Sequence, residues 1–284
     1  MVIVTIFWGL SYTFMVLGLE VLEAYNVVAL RCLIAFAVAG LLFYKKLVKT
    51  NLKTITYAAI QGTLLFAVFA LSLFGLEKTS ASNAGFILSL TVVLVPIVSS
   101  FIERSLPSRA VSFAIIATLI GIIILTVKES LTLNPGDIYI AIAAICYSIY
   151  LIANSKFTKK VESISYGVYQ LGFAGIIAAV LCLSFEVPSL PTAGLGWLAI
   201  LGLGVICTAF CFIAQAVVQQ YISPTHTGLI FSLEPIFASI FAVIFLGELI
   251  TMQLIIGGGF ILFGNVVAQI EQVQQIRRAG QTSY

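Results

Sequence analysis

Apolar residues come in long runs along this chain, and the polar ones gather in the short gaps between them. A helix that crosses a bilayer needs about 20 mostly apolar residues. Ten runs approach or meet that length: 2–19, 26–44, 54–75, 81–102, 109–127, 136–154, 165–184, 195–218, 226–247 and 250–270. The gaps carry turn formers: Leu106-Pro107-Ser108, Asn134-Pro135-Gly136, the stretch from Pro188 to Pro191, and Ser223-Pro224. The pattern predicts an all-α integral membrane protein with ten transmembrane helices, and leaves no stretch for a soluble domain or a long linker. The first run lacks a basic lead and a small-residue cleavage site, so it reads as a retained helix and not as a signal peptide.

One short pattern occurs twice. Residues 85–90 read Gly-Phe-Ile-Leu-Ser-Leu and residues 228–233 read Gly-Leu-Ile-Phe-Ser-Leu, 143 positions apart in a chain of 284. The same offset takes Phe69 to Phe212, Leu119 to Leu262 and Gly121 to Gly264. Each copy is followed by a proline, Pro96 or Pro235, and then by a glutamate, Glu103 or Glu248. A spacing of half the chain points to an internal duplication, with repeats at 1–134 and 135–284. Five spans per repeat is an odd number, so the second repeat enters the membrane from the opposite side. The expected fold is two inverted five-helix repeats about an axis in the membrane plane, an arrangement found in carriers.

Composition agrees. The chain is 61% hydrophobic and 9% charged, with a mean hydropathy of +1.15, against about 25% charged residues in soluble domains. Net charge is +3, and nothing in it suggests a nucleic-acid partner. What matters is where the cations fall. With the N-terminus in the cytoplasm, inside loops hold Lys45, Lys46, Lys49, Lys53, Arg104, Arg109, Lys156, Lys159, Lys160, Arg277 and Arg278, whereas outside loops hold only Lys78 and Lys128. Both termini are therefore expected on the cytoplasmic side of the cell membrane. Cys32, Cys146, Cys182, Cys207 and Cys211 all lie in apolar runs, an odd number without paired loop positions, so they read as packing residues and not as a disulfide framework.

Certain motifs carry a family resemblance. Span 1 holds Phe7-Trp8-Gly9-Leu10-Ser11-Tyr12, and span 2 holds Arg31 within Leu30-Arg-Cys-Leu-Ile-Ala. Span 4 offers Ser82-Asn-Ala-Gly-Phe-Ile-Leu-Ser-Leu with Val95-Pro96 and Glu103 after it. Span 9 offers Gly228-Leu-Ile-Phe-Ser-Leu-Glu-Pro-Ile, then Phe245-Leu-Gly-Glu248. Over essentially its whole length the chain resembles the EamA-like branch of the drug/metabolite transporter superfamily. Span 4 departs from the pattern: Thr91-Val92 stands where span 9 has Glu234-Pro235. The resemblance implies a ten-helix carrier with a central cavity lined by helices 1, 3, 4, 6, 8 and 9, with helices 5 and 10 peripheral. It names no substrate.

The candidate residues follow from their chemistry. Arg31 and Glu234 are charges inside spans, which cost at least a few kcal/mol in lipid and so must face protein or a wet cavity. Small residues one and two turns away, Ala35 and Ala39 beside Arg31, Ala238 and Ala242 beside Glu234, mark close helix contact. The two charges read either as structural, a pair or charges satisfied by local hydrogen bonds, or as functional groups, Arg31 meeting a substrate anion and Glu234 coupling substrate to protons. Pro96 and Pro235 each remove a helical hydrogen bond and read as kinks, with hinges as the functional alternative. Trp8, Tyr12, Tyr147 and Tyr150 lie deep in the first helix of each repeat, Gln61 and Gln215 carry amides that are costly in lipid, and Ser89 and Ser232 occupy equivalent turns. All eight are candidates for substrate contact. Packing, interhelical bonds, or for the serines a bond back to their own helix, are the structural alternatives. His226 reads as a cap, and without a second histidine or a carboxylate cluster no metal site emerges. Matched small residues on helices 5 and 10, Ala114 and Gly121 with Gly257 and Gly264, suit packing within the chain or a homodimer contact.

No phosphate-cradling loop and no nucleophile–base set appears, so neither an enzyme nor a primary pump is expected, and no cofactor. The favoured reading is a secondary transporter that exports or exchanges small metabolites, such as amino acids or amphipathic compounds, with protons as a candidate coupling ion. A lipid-carrier translocase and an uncoupled uniporter are the alternatives.

Overall fold

The computed structural model describes residues 1–102, 109–126, 134–192, 194–221, 230, 231 and 233–281. Ten helices appear where ten runs were expected. They are α1 (Val2–Leu19), α2 (Ala24–Leu47), α3 (Leu52–Leu76), α4 in two pieces, α4a (Ala81–Leu88) and α4b (Thr91–Ile102), α5 (Arg109–Thr126), α6 (Pro135–Phe157), α7 (Ser163–Phe185), α8 (Gly194–Gln219), α9 (Glu234–Leu246) and α10 (Met252–Gln281). Six of them are at least 18 residues long and apolar enough to cross a membrane, and shorter apolar helices cover the other four.

Local chemistry sets the helix ends. Asn51 accepts the Thr54 N–H at 2.9 Å and Ser80 accepts the Asn83 N–H at 3.1 Å, each filling a donor left open in a first turn. Pro135 begins α6, where its missing N–H costs nothing, and Asn134 caps it by accepting from Gly136 N–H at 3.0 Å. Gly247, at φ +68°, ends α9 in the left-handed conformation that glycine adopts freely.

The break in α4 departs from the single helix expected there. At Leu90 the bonding tightens to i→i+3: Leu90 N–H donates to Ile87 O at 3.1 Å and Val93 N–H to Leu90 O at 2.9 Å. The hydroxyls of Ser89 and Thr91 take the carbonyls of Phe86 and Leu88, both at 2.6 Å, in place of helical donors. The same step precedes α9, where Leu233 N–H donates to Ile230 O and Ile236 N–H to Leu233 O, both at 3.1 Å. These are the equivalent positions, 143 residues on. The duplicated Ile-x-Ser-Leu thus marks a tightened turn in each copy. The prolines, expected as kinks, stand apart from these tightened turns. Pro235 sits in the first turn of α9, where a proline is tolerated, and Pro96 lies inside α4b, beyond the break. Ser232, His226 and Glu103 lie outside the described residues.

A second departure is in α8, whose Gly202–Phe210 segment is a π-helix. Such widened turns frequently fall at functional sites. This one faces α1 and α2.

The helices pair in a regular scheme. α2 lies on α7 and α5 on α10; α3 packs on α6 and α7, and α8 on α1 and α2; α1 packs on α9, and α4 on α6. α5 and α10 stand to one side of the other eight. Their small residues face one another: a methyl at Gly121 would meet Gly257 O at 2.5 Å, and one at Gly264 would meet Ala114 O at 2.7 Å. The faces read as a possible homodimer contact are therefore already filled within the chain. Large apolar side chains such as Ile116, Ile123, Leu183, Ile244 and Phe263 point outward, as a lipid-facing surface requires.

Candidate functional site

Two small adjoining chambers of about 40 and 30 Å³ lie at the centre of the bundle. They share Leu88, Tyr147 and Glu234. The chamber farther from the end that holds Met1 is lined by Trp8, Ser11, Tyr12 and Met15 of α1, Arg31 of α2, Val68, Phe69 and Ser72 of α3, and Phe212 of α8. The nearer one is lined by Ser89, Thr91, Val92 and Val95 of α4, Leu151 of α6, Gln219 of α8, and Phe231 just before α9. The lining helices are those the resemblance implied, with α2 added through Arg31.

Arg31 is 1% exposed. Its guanidinium carbon lies 3.8 Å from the Phe69 ring centroid, and its Nε donates to Thr208 Oγ1 at 3.1 Å. Thr208 belongs to the π segment of α8, so the widened turn supplies the group that holds the arginine. Nη1 is buried without a partner. Among the described residues no acid lies within ion-pair distance of Arg31, and the ion pair present is Lys46–Glu162, at 3.1 Å. The reading of Arg31 and Glu234 as a direct structural pair is thereby corrected. A desolvated cation–π contact is worth about 2 kcal/mol and a hydrogen bond to a charged group about 1.5–3 kcal/mol. Taking one ion out of water still costs several kcal/mol. These contacts offset part of that cost, and an anion in the chamber would offset more.

Glu234 opens α9 at its first turn, where a carboxylate suits the helix dipole. Its Oε1 accepts the Tyr12 hydroxyl at 3.1 Å, which ties α9 to α1. A methyl at Gly9 would lie 2.5 Å from Phe237 Cβ, so the two helices touch backbone to backbone just below that bond. Between the two charges stand aromatic rings. Trp8 meets Phe231, Phe212 and Tyr147 with centroids 4.9, 5.1 and 6.3 Å away. Its indole N–H donates to Cys207 O at 3.1 Å, a carbonyl in the π segment.

The structure separates the other candidates. Ser89 lines the nearer chamber, bonds back to Phe86 O and accepts from Asn265 Nδ2 of α10 at 3.2 Å. Gln61, Tyr150 and Gln215 do not line either chamber. They lie behind Tyr147, whose ring stacks on Tyr150 at 5.6 Å, and Gln61 Nε2 donates to Tyr150 O at 2.8 Å. Phe69, Phe212 and Thr208 were not singled out beforehand. One phenylalanine among 21 carries no mark of its own, and only the contact with Arg31 picks out Thr208. Glu248, noted as part of a motif, proves to be a cap. Its carboxylate accepts from Ala81 N–H at 2.7 Å, Ser82 N–H at 3.2 Å and Ser82 Oγ at 2.5 Å, closing the start of α4a. Glu186 does the same for α2, accepting from Tyr25 and Asn26 N–H, both at 2.8 Å.

Apolar helices long enough to span a bilayer around a partly polar cavity define a membrane protein. The EamA-like transporter family model matches residues 1–127 and 134–268. The chain belongs to the EamA-like transporter family, a family of membrane transporters and not of enzymes. It is 23% identical to an uncharacterized transporter of Archaeoglobus fulgidus, across 94% of this chain and 95% of the relative. It is 21% identical to the uncharacterized transporter YoaV of Bacillus subtilis, across 92% of each. A solved crystal structure aligns with 96% of the chain and 97% of its own length, at a TM-score of 0.69 and 18% identity, and so shares the fold.

Proposed function

We propose that the protein is a secondary transporter, exporting or exchanging zwitterionic metabolites of amino-acid type by alternating access across the cell membrane. The observation that carries this reading is the unpartnered Nη1 of Arg31, in a chamber that also holds the Glu234 carboxylate. A substrate carboxylate meets Arg31 and its ammonium meets Glu234. The wall of Trp8, Phe69, Tyr147 and Phe212 takes an apolar side chain. Tyr12 holds Glu234 in place, and a proton on Glu234 substitutes for the ammonium when the site is empty, which couples substrate to protons.

Alternating access rests on two inverted repeats, 1–134 and 135–284. The helix pairing supports them: replacing each helix by the one five places on turns α3–α6 into α8–α1, α3–α7 into α8–α2 and α1–α9 into α6–α4, all of them present. The reciprocal contacts Gly121–Gly257 and Gly264–Ala114 and the matched tight turns at Leu90 and Leu233 obey the same exchange. The two matched family segments meet near residue 134. Hinging falls at those turns, with Pro96 and Pro235 stiffening the pieces beyond them. The lysine and arginine distribution favours both termini in the cytoplasm.

The test is counterflow in proteoliposomes loaded with unlabelled amino acids. Labelled phenylalanine or threonine should enter saturably. Arg31→Met should raise the half-saturating concentration by about tenfold or more, from the loss of a charged hydrogen bond. Glu234→Gln should retain exchange and lose acceleration by a pH gradient. Gradient-driven uptake at the full rate in Glu234→Gln would sink the coupling role.

A further inference from the structure

Behind Tyr147 lies a layer of polar side chains that the cavity does not use. Tyr150 and Asn154 come from α6, Gln61 from α3, Tyr166 and Gln170 from α7, and Gln215 from α8, and all six are fully buried, at 0% exposure. Parts of the layer are bonded. Tyr150 OH donates to Gln170 Oε1 at 3.1 Å, Gln61 Nε2 donates to the Tyr150 carbonyl, and Asn154 Nδ2 donates to Gln219 Oε1. Four atoms are left over: Gln61 Oε1, Asn154 Oδ1, Gln170 Nε2 and the Tyr166 hydroxyl. Both amide atoms of Gln215 also lack a bond of normal geometry, although the amide comes close to the Tyr147 hydroxyl.

Leaving one buried polar atom unsatisfied costs about 1–3 kcal/mol, so four in one layer require a ligand. Amide orientation does not remove the problem. Turning Gln61 over would set its oxygen against the Tyr150 carbonyl, and turning Gln170 over would merely orphan its oxygen instead. The leftover set identifies the ligand by its balance. Gln61 and Asn154 offer acceptors, whereas Gln170 and Tyr166 offer donors. A cation would want acceptors alone and an anion donors alone. Water gives and takes in equal measure, and buried waters typically make about three bonds to such groups.

We propose that this layer is a second site, one that binds water molecules between the cavity wall at Tyr147 and the last turns of α6 and α8. Gln215 and Tyr147 mark one end, and Asn154 with Gln219, which also lines the nearer chamber, marks the other, at the last turns of α6 and α8. The seven steps from Tyr147 to Asn154 span about 10 Å of helix. Gln61, Tyr150 and Gln215 thereby acquire a role other than the substrate contact first expected of them. The layer contains no carboxylate, lysine, arginine or histidine, so its hydration does not depend on a charge within it.

Radiolytic hydroxyl labelling in ¹⁸O water tests this, with the full chain in lipid nanodiscs. Tyr150 and Tyr166 should be oxidised and carry ¹⁸O despite having no exposed surface, alongside the exposed Tyr44 and Tyr221. Gln170→Leu should abolish the labelling of Tyr150 and Tyr166 and leave Tyr44 and Tyr221 unchanged. Unlabelled Tyr150 and Tyr166 in the folded wild-type protein would overturn the proposal. Tyr166→Phe gives an independent reading. It lowers the thermal midpoint if the hydroxyl is bonded to water, and leaves or raises it if the pocket is dry, which would equally refute the site. Neither measurement involves a substrate, so a failure here and a failure of counterflow are told apart.

Discussion

Arg31 and Glu234 share a cavity without touching, and on the proposed function that separation suits a ligand with two poles. Each is held from behind by a neutral group, Arg31 by Thr208 and the Phe69 ring, Glu234 by Tyr12. A salt bridge between them would have cancelled both. Residues of this kind were legible in the sequence because a charge or a tyrosine in an apolar run stands out against its neighbours. Their holders were not, since Thr208 and Phe69 are ordinary membrane residues until a contact distinguishes them. At the surface the balance is different. Burial alone would push the Glu162 carboxyl up, but the Ser165 N–H at 2.6 Å and Lys46 outweigh it and hold the carboxyl below its ordinary value near 4.5. A depressed value means the ionised form favours the fold. The contribution is full above the ordinary value and fades as pH falls through the folded one. With both partners about half exposed, screening keeps it at ~1 kcal/mol or less. Thermal midpoints of wild type and Glu162→Gln should differ slightly at pH 7 and converge as the carboxyl is protonated in acid. A gap that persists undiminished in acid would rule out this account.

At the scale of elements, the ends of most helices were legible because asparagine, proline and glycine mark them. The breaks were not. Proline is the obvious breaker, yet α4 turns tightly at Ser89–Leu90, where two hydroxyls compete for carbonyls, and this depends on side-chain rotation that no residue count reveals. The π segment of α8 was equally hidden, because inserting one residue per turn leaves an apolar run looking unchanged. The α5–α10 seam offers a sharp test. Gly121→Ala would push a methyl to 2.5 Å from a backbone oxygen that has nowhere to go. Overpacking of this sort costs about 1–3 kcal/mol, so the thermal midpoint should fall by several degrees. Gly259, on the same helix as Gly257 but with nothing within 4 Å, should accept alanine without loss. Equal effects at both sites would mean that the seam yields.

Over the whole molecule, carboxylates from the second half close helices of the first. Glu186 caps α2 and Glu248 caps α4a. Each cap of this kind is worth roughly 0.5–2 kcal/mol. A chain severed between residues 127 and 134 and made as two polypeptides should therefore reassemble, with a tag on one fragment retrieving the other. The pair Glu186→Ala and Glu248→Ala should reduce that recovery, and recovery at the unmodified level would show that the caps play no part in it. The two halves are chemically unequal partners. Recombination that exchanged the second half for a copy of the first would preserve the helix pattern, yet leave α2 and α4a with bare ends.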